Sequence, residues 1–172
     1  MGGEIHVSSE AGKGTEIIVS LHQKLSEKPE KDAEAVSLEE AKKTFYGKRL
    51  LIVEDNDLNR EIEAAILEDA GFLVEEAVNG QEAVDKIKDS QNGYYAGILM
   101  DIQMPVMDGY EATREIRKLQ DTQLANTPII AVSANAFDED KEASAKAGMN
   151  AHIEKPIQLD YLFSTLESLL KE

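Results

Sequence analysis

The sequence contains no cysteine and no long apolar run. The absence of cysteine from its 172 residues excludes a fold held together by disulfide bonds. No apolar stretch approaches the roughly 20 residues that a membrane-spanning helix needs. The first residues also lack the basic and then apolar pattern of a signal peptide. Together these absences predict a cytoplasmic protein that makes no membrane contact through this part of the chain.

Basic residues are scarce as well. The chain has 18 Lys and Arg residues against 34 Asp and Glu residues, which gives a formal net charge of −16. A chain with this charge is repelled by nucleic acid and by anionic membrane surfaces. We therefore expect no nucleic-acid partner, and we expect partners that are cationic or are bridged by a metal ion.

The first 22 residues predict a β-hairpin. Apolar and polar residues alternate on both sides of a turn that contains Gly12 and Gly14, and the apolar positions are Ile5, Val7, Ile17, Val19 and Leu21. A hairpin of two strands is marginally stable in water, so its apolar face needs a cover. The main domain, a second copy of the chain or a missing parent sheet would each provide one. Self-association through the hairpin is therefore one expectation.

Residues 23–47 have the composition of a linker. The stretch EKPEKDAEA is polar, nearly balanced in charge and contains Pro29, as flexible linkers do. Ser37 and Glu40 fit a capping box, so EEAKKTF predicts a short helix that leads into the main domain. A linker of merely helical composition fits this stretch equally well.

Residues 48–172 alternate five short apolar runs with five amphipathic ones. The apolar runs are RLLIV, FLVEEA, GILM, PIIAV and AHIE, and the predicted helices cover residues 57–70, 81–88, 110–119, 139–147 and 159–170. Such alternation predicts parallel strands with helices on both faces of the sheet, which is a doubly wound α/β architecture.

Charged or polar residues follow four of the five predicted strands. These residues are Glu54 and Asp55 after the first strand, Asp101 after the third, Ser133 after the fourth and Lys155 after the fifth. In an open parallel sheet, the functional crevice lies beyond the carboxyl ends of the strands. One aspartate at a strand end is common on protein surfaces. Three carboxylates with a hydroxyl and an ammonium group at the same edge instead predict a site.

The charges of this group predict its chemistry. Three carboxylates and one ammonium group leave −2, and like charges about 4 Å apart repel by roughly 4 kcal/mol at an effective dielectric near 20. A divalent cation would restore neutrality, and carboxylate and carbonyl oxygens suit Mg²⁺. Because an aspartate beside Mg²⁺ and a lysine is placed to attack phosphorus, Asp101 is a candidate nucleophile.

Four ordered motifs carry a resemblance to a known family. VEDN at 53–56, MDIQMPVMDGYEATREIR at 100–117, VSANA at 132–136 and EKP at 154–156 resemble a response-regulator receiver domain over roughly residues 48–171. The motif around Asp101 is similar to those of receivers attached to hybrid histidine kinases. The resemblance implies a flavodoxin-like fold with a five-stranded parallel sheet, and phosphoryl transfer from phosphohistidine to Asp101.

The resemblance also implies a metal site. Mg²⁺ would be held by Asp55, Asp101 and the backbone carbonyl of Gln103, and Glu54 would act in the outer shell of the metal. Mg²⁺ is therefore the expected cofactor of this domain.

Three further positions acquire implied roles around the phosphoryl group. Ser133 would donate a hydrogen bond to it, and Lys155, in a cis peptide bond with Pro156, would form an ion pair with it. Three residues before the lysine, the family usually has an aromatic residue that moves with the hydroxyl residue on activation. His152 occupies that switch position, so the coupling between Ser133 and this position is open.

The resemblance implies partners as well. A histidine kinase core would be the phosphodonor and a histidine phosphotransfer protein the recipient. The expected docking surface consists of Asn59, Ile62, Ile66 and Pro156. The stretch GGEIHVSSEAGKGTEIIVSL resembles the last two strands of a histidine-kinase ATP-binding domain, but no stretch resembles the helix and lid that bind ATP. The enzymatic chemistry expected of this chain is therefore limited to its own phosphorylation and dephosphorylation.

Two alternative functions follow from other uses of the same residues. A receiver that acts only as a docking module would be expected to lose an acidic residue or the lysine, and all of them are present here. A magnesium-dependent aspartyl phosphatase also attacks phosphorus with an aspartate at a strand end. Those enzymes have a second aspartate two residues later as general acid, where this chain has Gln103.

Overall fold

The structure, a computed structural model, describes residues 2–10, 12, 14–22, 43–134 and 138–170. The chain divides into two units, residues 1–32 and 33–172. Among the helices of the described residues, none has the length and apolar character of a membrane-spanning segment.

The described part of the first unit is an antiparallel hairpin. Its strands are β1 (Gly2–Glu10) and β2 (Gly14–His22). The register sets Ile5 opposite Val19 and Val7 opposite Ile17, so the alternating apolar positions share one face of the hairpin. Ile5, Val7 and Ile17 are exposed. Self-association through this face stays a prediction.

The second unit is built on a five-stranded parallel sheet. The strands are β3 (Arg49–Val53), β4 (Leu73–Ala77), β5 (Gly97–Asp101), β6 (Ile129–Ser133) and β7 (Ala151–Glu154). Their order across the sheet is β4-β3-β5-β6-β7, and every neighbouring pair is parallel. The direction of winding reverses between β3 and β5, which is the switch point where such sheets place their sites. The predicted flavodoxin-like fold is confirmed.

Six helices connect or follow these strands in the described residues. They are α1 (Asp57–Asp69), α2 (Gly80–Asp89), α3 (Gly109–Arg117), α4 (Thr122–Ala125), α5 (Asp138–Ala147) and α6 (Leu159–Leu170). Asn56, Asn79 and Asp108 precede the first three, and the side chain of each accepts a hydrogen bond from a backbone N–H of the first turn. The sequence predicted every helix except the single turn α4.

Apolar residues of the strands pack into two cores on opposite faces of the sheet. Leu50 and Ile52 pack in the core that also contains buried residues of α1 and α6. Leu51 and Val53 pack in the core that contains buried residues of α2 and α3. Because helices cover both faces, the three central strands β3, β5 and β6 are apolar at successive positions, as parallel strands usually are.

A residue from the predicted linker also enters the core. Phe45 is fully buried, and its ring lies 4.7 Å from that of Phe72 and 6.3 Å from that of Phe163, centroid to centroid. Residues 43–45 are helical. The rest of the predicted short helix and of the linker, residues 23–42, lies outside the described residues.

Gly109 allows the loop after β5 to return against the end of that strand. A Cβ atom at this position would lie 2.2 Å from the backbone oxygen of Asp101 and 3.0 Å from Cγ of Met100. The Gly109 N–H donates a hydrogen bond to the carbonyl of Ile102 at 3.0 Å. Only glycine therefore fits at the point where the loop helps to position Asp101.

We expect Gly109→Ala to lower the free energy of unfolding by about 1 to 3 kcal/mol, because a side chain forced into a packed site costs roughly this much. Gly97→Ala is the matched control, since its Cβ would meet Cδ2 of Leu50 at 3.4 Å, an ordinary contact. Urea denaturation of both variants measures the difference. Equal losses in the two variants would contradict this account of the loop.

Candidate functional site

Three carboxylates meet at the carboxyl ends of β3 and β5. Glu54 and Asp55 directly follow β3, and Asp101 is the last residue of β5. One oxygen atom from each carboxylate lies within 4.8 Å of the other two. Glu54 and Asp101 are buried, with 1% and 9% of their surface exposed, whereas Asp55 is exposed. The structure thus brings together the acidic residues that the sequence predicts at this edge.

Lys155, which follows β7, connects two of these carboxylates. Its ammonium group donates a hydrogen bond to Oδ2 of Asp101 at 2.5 Å and another to Oε2 of Glu54. The Lys155–Pro156 peptide bond is cis, as the family resemblance implies. The backbone N–H of Lys155 donates to the carbonyl of Ser133 at 2.7 Å. These contacts join the ends of β3, β5, β6 and β7.

Donors at the start of α1 hold the remaining oxygen of Glu54. The backbone N–H of Asn56 and the side-chain amide of Asn59 each donate to Oε1 at 3.2 Å. Burial raises the pKa of Glu54, but the hydrogen bond and the charge of Lys155, with these donors, outweigh burial and leave the pKa below its ordinary value. Glu54 is therefore ionised at neutral pH.

Burial has the larger effect on Asp101. It raises the pKa of Asp101 above the ordinary value, although hydrogen bonds from Lys155 and from the backbone N–H of Gln103, at 3.0 Å, act in the opposite direction. Burial lowers the pKa of Lys155, but its bonds to Asp101 and Glu54 outweigh burial and raise that pKa. A cation bound at the carboxylates would favour the ionised form of Asp101.

An open cleft of about 320 Å³ contains the acidic cluster. Its lining residues are Glu54, Asp55, Asn56, Asn59, Asp101, Gln103, Ala134 and Lys155. Carboxylate and amide oxygens are hard ligands, so Glu54, Asp55 and Asp101 could hold a cation such as Mg²⁺. A larger groove, about 1070 Å³, is lined by residues such as Arg49 and Leu73 at the amino ends of the strands. Its position places that groove at the wrong end of the sheet for this chemistry.

The loop between Asp101 and Gly109 contains a strained residue. Val106 has a φ of 71°, and the N–H of Met107 donates to the carbonyl of Pro105 at 2.8 Å, which closes a γ-turn around Val106. A β-branched residue at positive φ is an outlier, and such strain costs on the order of 1 to 3 kcal/mol. The fold therefore tolerates backbone strain within a few residues of Asp101.

Ser133 and His152 are in direct contact. Ser133, the last residue of β6, is buried, and its hydroxyl lies 2.9 Å from Nε2 of His152. In the parallel register His152 pairs with Ala131, two residues before Ser133, so the two side chains lie on the same face of the sheet. The proposed switch pair is thus linked by a hydrogen bond. The action of Ser133 on a phosphoryl group stays a prediction.

Three of the predicted docking residues lie on α1, and Pro156 lies in the loop after β7. Asn59, Ile62 and Pro156 are exposed, and Ile66 is partly buried. Leu58, one helical turn before Ile62, is also exposed and extends this apolar surface. Asn59 has a second contact that its predicted role did not include, because its amide donates to Glu54.

Arg60 is a positioning residue that sequence reasoning missed. Its guanidinium group donates to the backbone carbonyl of Glu54 at 2.9 Å, and also to the carboxylates of Asp57 and Glu76. These bonds join α1 and β4 to the backbone that carries the acidic cluster. The sequence could have indicated the ion pair between Asp57 and Arg60, because the two residues lie three positions apart on a helix. Nothing in the sequence indicated the contact with Glu54.

Glu63 is a second residue near the site that sequence reasoning missed. It lies on the buried side of α1 with 8% of its surface exposed. Burial, together with the negative charges of Glu54 and Asp101, raises the pKa of Glu63 to about 7, although Lys155 acts in the opposite direction. The electrostatic field of the acidic cluster therefore reaches into the core beside α1.

We expect the stability of the domain to fall as pH rises through the range set by Glu63. The pKa of Glu63 is about 7 in the folded domain and 4.5, the ordinary value, in the unfolded chain. Ionisation of Glu63 therefore favours the unfolded state. The loss of folding free energy begins as pH rises above 4.5 and is complete above pH 7. This cost is roughly 3 kcal/mol at full ionisation. Glu63→Gln, which mimics the neutral carboxyl group, should therefore be more stable than the natural chain at about pH 8, and the difference should shrink to under about 1 kcal/mol near pH 5.

Urea denaturation in a chelating buffer at the two pH values measures this effect. Glu61→Gln is the control, because Glu61 is exposed on the same helix and its replacement should leave the pH dependence unchanged. A difference between Glu63→Gln and the natural chain that is independent of pH would contradict the prediction.

Comparisons with known proteins identify the family of this chain. A family model described as the response regulator receiver domain matches residues 50–167. The chain is 41% identical over 142 residues to hybrid signal transduction histidine kinase B of Dictyostelium discoideum. This match covers 77% of the chain but only 7% of that kinase, so the chain spans a small part of the length of its relative.

Solved structures show the same fold. One is the receiver domain of sensor histidine kinase PA1611 from Pseudomonas aeruginosa PAO1, a structure with a magnesium ion coordinated in the active site cleft. Its sequence is 39% identical to this chain and its TM-score is 0.65. The match covers 72% of this chain and 98% of that chain. Another comes from the complex of the Saccharomyces cerevisiae histidine phosphotransfer protein Ypd1 with the receiver domain of Ssk1. The matched chain is 32% identical with a TM-score of 0.66, and the match covers 73% of this chain and 90% of that chain. The chain belongs to the response regulator receiver domain family.

Proposed function

We propose that this domain is the phosphoacceptor of a two-component phosphorelay. Asp101 accepts a phosphoryl group from a phosphohistidine of a histidine kinase core and passes it to a histidine of a phosphotransfer protein. The observation that carries the proposal is the contact of the Lys155 ammonium with both Asp101 and Glu54, beside the exposed carboxylate of Asp55. A nucleophile, a cationic group and an exposed acidic side chain thereby lie in one open cleft.

Both transfers are displacements at phosphorus. In the first, an oxygen of ionised Asp101 attacks the phosphorus atom, a P–O bond forms, and the P–N bond breaks with its electron pair going to the leaving imidazole nitrogen. In the second, an imidazole nitrogen of the recipient attacks, a P–N bond forms, and the P–O bond breaks to regenerate the Asp101 carboxylate. The side chains of the domain contribute chiefly by positioning and by charge stabilisation.

Lys155 and the acidic residues have different electrostatic roles. The Lys155 ammonium lies 2.5 Å from Asp101, so it is close to the negative charge of a phosphoryl group on that residue. Mg²⁺ would be held by Asp55, Asp101 and the backbone carbonyl of Gln103, with Glu54 in its outer shell, and when bound it supplies positive charge to the phosphoryl oxygens. The second ion pair, with Glu54, holds the lysine in place while its partner changes charge.

We expect the chain to gain one phosphoryl group when it is incubated with acetyl phosphate and Mg²⁺, and we expect Asp101→Asn to gain none. Intact mass spectrometry of both proteins, with and without Mg²⁺, measures the adduct. Asp89→Asn is the control, because Asp89 is an exposed acid at the end of α2 and does not line the cleft. A folded chain that gains no phosphoryl group would favour the docking-only alternative.

The same proposal gives the exposed surface of α1 a role in docking the phosphotransfer partner. Ile62, which is 51% exposed, and Leu58 form an apolar surface next to the cleft residue Asn59. Exposed apolar residues grouped in this way are typical of interaction sites. The receiver of the Ssk1 complex binds a phosphotransfer protein, which supports a partner of this class.

We expect Ile62→Arg to weaken binding of a phosphotransfer protein by about tenfold or more, as loss of a central interface residue does. The yeast protein Ypd1 is a suitable probe, and calorimetric titration measures the affinity. Phosphorylation by acetyl phosphate should be unchanged, because Ile62 is not part of the cleft. Tyr46→Arg, which adds the same charge at an exposed position before β3, is the control. Equal affinities of Ile62→Arg and the natural chain would refute this surface.

A further inference from the structure

Residues 43–48, which we call the N-terminal strap, directly precede β3. The family model matches residues 50–167, so the strap lies outside the matched part of the chain. Residues 43–45 are helical, and Phe45 is fully buried in the core that also contains residues of α1 and α6. The strap therefore belongs to the packed domain, although the sequence predicted a linker here.

The N-terminal strap contacts helix α6 at two points. The ring of Phe45 lies 6.3 Å from that of Phe163, centroid to centroid. The ammonium group of Lys48 donates a hydrogen bond to the backbone carbonyl of Leu170 at 3.1 Å. Phe163 and Leu170 are about two turns apart on α6, roughly 10 Å along its axis. The two contacts therefore lie on the same side of this helix.

The bond from Lys48 satisfies a backbone group at the end of α6. The last carbonyls of an α-helix have no donor within the helix, and Leu170 is the last residue of α6. A cationic group at this end of a helix also interacts favourably with the helix dipole. The strap thus gives the last turn of α6 a partner that the helix cannot provide itself.

Backbone hydrogen bonds attach the strap to the turn before β4 as well. The N–H of Gly47 donates to the carbonyl of Gly71 at 2.9 Å, and the N–H of Leu73 donates to the carbonyl of Lys48 at 2.9 Å. These bonds extend the pairing of β3 with β4 by one step beyond the start of β3. The strap is therefore held between the start of β4 and helix α6.

We propose that the N-terminal strap is a conformational device that couples α6 to the part of the chain upstream of residue 43. The strap is continuous with that part, and α6 cannot slide or rotate without displacing Phe45 or breaking the bond of Lys48. Because a coupling free energy acts in both directions, a displacement of the upstream chain acts on α6, and a movement of α6 reaches residue 43. This coupling does not depend on the phosphorylation of Asp101.

Coupling of this kind requires the strap and α6 to open together. Folded proteins open locally in contiguous units, and the residues of one unit lose their protection from hydrogen exchange together. Release of the strap removes Phe45 from beside Phe163 and frees the carbonyl of Leu170, so α6 loses both contacts in one event. The strap and α6 should therefore form one such unit.

Hydrogen exchange of the full chain, followed by NMR, tests this unit. The hydrogen-bonded amide of Gly47 reports on the strap, and the amides of α6 report on the helix. Lys48→Met keeps the aliphatic stem but removes the donor to Leu170. The protection of Gly47 and of α6 should then fall by one common factor, about threefold to tenfold. Lys48→Arg, which keeps a cationic donor, should restore the protection of both.

Tyr46→Ala is the control for this experiment. Tyr46 lies in the strap between Phe45 and Gly47 but is 84% exposed, so its replacement should leave the protection of Gly47 and of α6 unchanged. A loss of protection at Gly47 alone in Lys48→Met, or unequal factors in the strap and in α6, would show that the strap opens independently. Either result would overturn the inference.

Electron paramagnetic resonance measures a second consequence, a fixed distance between the upstream end of the strap and α6. The chain has no cysteine, so Lys43→Cys and Ser168→Cys introduce two nitroxide labels at exposed positions without background labelling. The distance distribution should be narrow in this labelled chain and should broaden when Phe45→Ala is added, whereas Tyr46→Ala should leave it narrow. A broad distribution in the labelled chain itself, or an unchanged one after Phe45→Ala, would refute the attachment of the strap to α6.

Discussion

The structure of the site depends on the two ion pairs of Lys155. A single ammonium group bonds Glu54 and Asp101, which lie 101 and 54 residues away along the chain, and so ties the ends of three strands together. Burying these carboxylates without a cation would be costly, since an uncompensated buried charge destabilises a protein by about 3 to 5 kcal/mol. With Asp55 counted, the cleft still carries more negative than positive charge. The ion pairs of Lys155 therefore stabilise the buried carboxylates, and the remaining negative charge of the cleft favours binding of a cation.

The surroundings of this cluster are organised to keep it in place. Arg60 and Asn59 hold Glu54 from α1, and Gly109 lets the loop after β5 approach the backbone of Asp101. Val106 keeps a strained conformation in that loop. A domain with two apolar cores, one on each face of its sheet, can tolerate these local costs because they are small beside the stability that the cores provide.

Particular residues show where sequence reasoning succeeded and where it failed. The periodicity of apolar residues predicted every strand of the sheet and all helices but α4, because hydrophobic patterns and capping residues are local signals. Phe45 looked like part of a linker, yet it packs between two distant phenylalanines. Glu63 looked like one more polar residue on α1, yet it is buried near the charges of the cleft. Such features depend on which distant elements pack together, and no local pattern encodes that.

The sequence by itself determined the fold class, the order of the elements and the identity of the charged residues at the strand ends. Those properties follow from local periodicity and from the rule that parallel strands present their carboxyl ends at one edge. Only the tertiary structure decided that Lys155 contacts two carboxylates at once and that His152 contacts Ser133. Hydrogen bonds and ion pairs act over a few ångströms with defined directions, so these contacts exist only after the sheet and helices have brought distant residues into position.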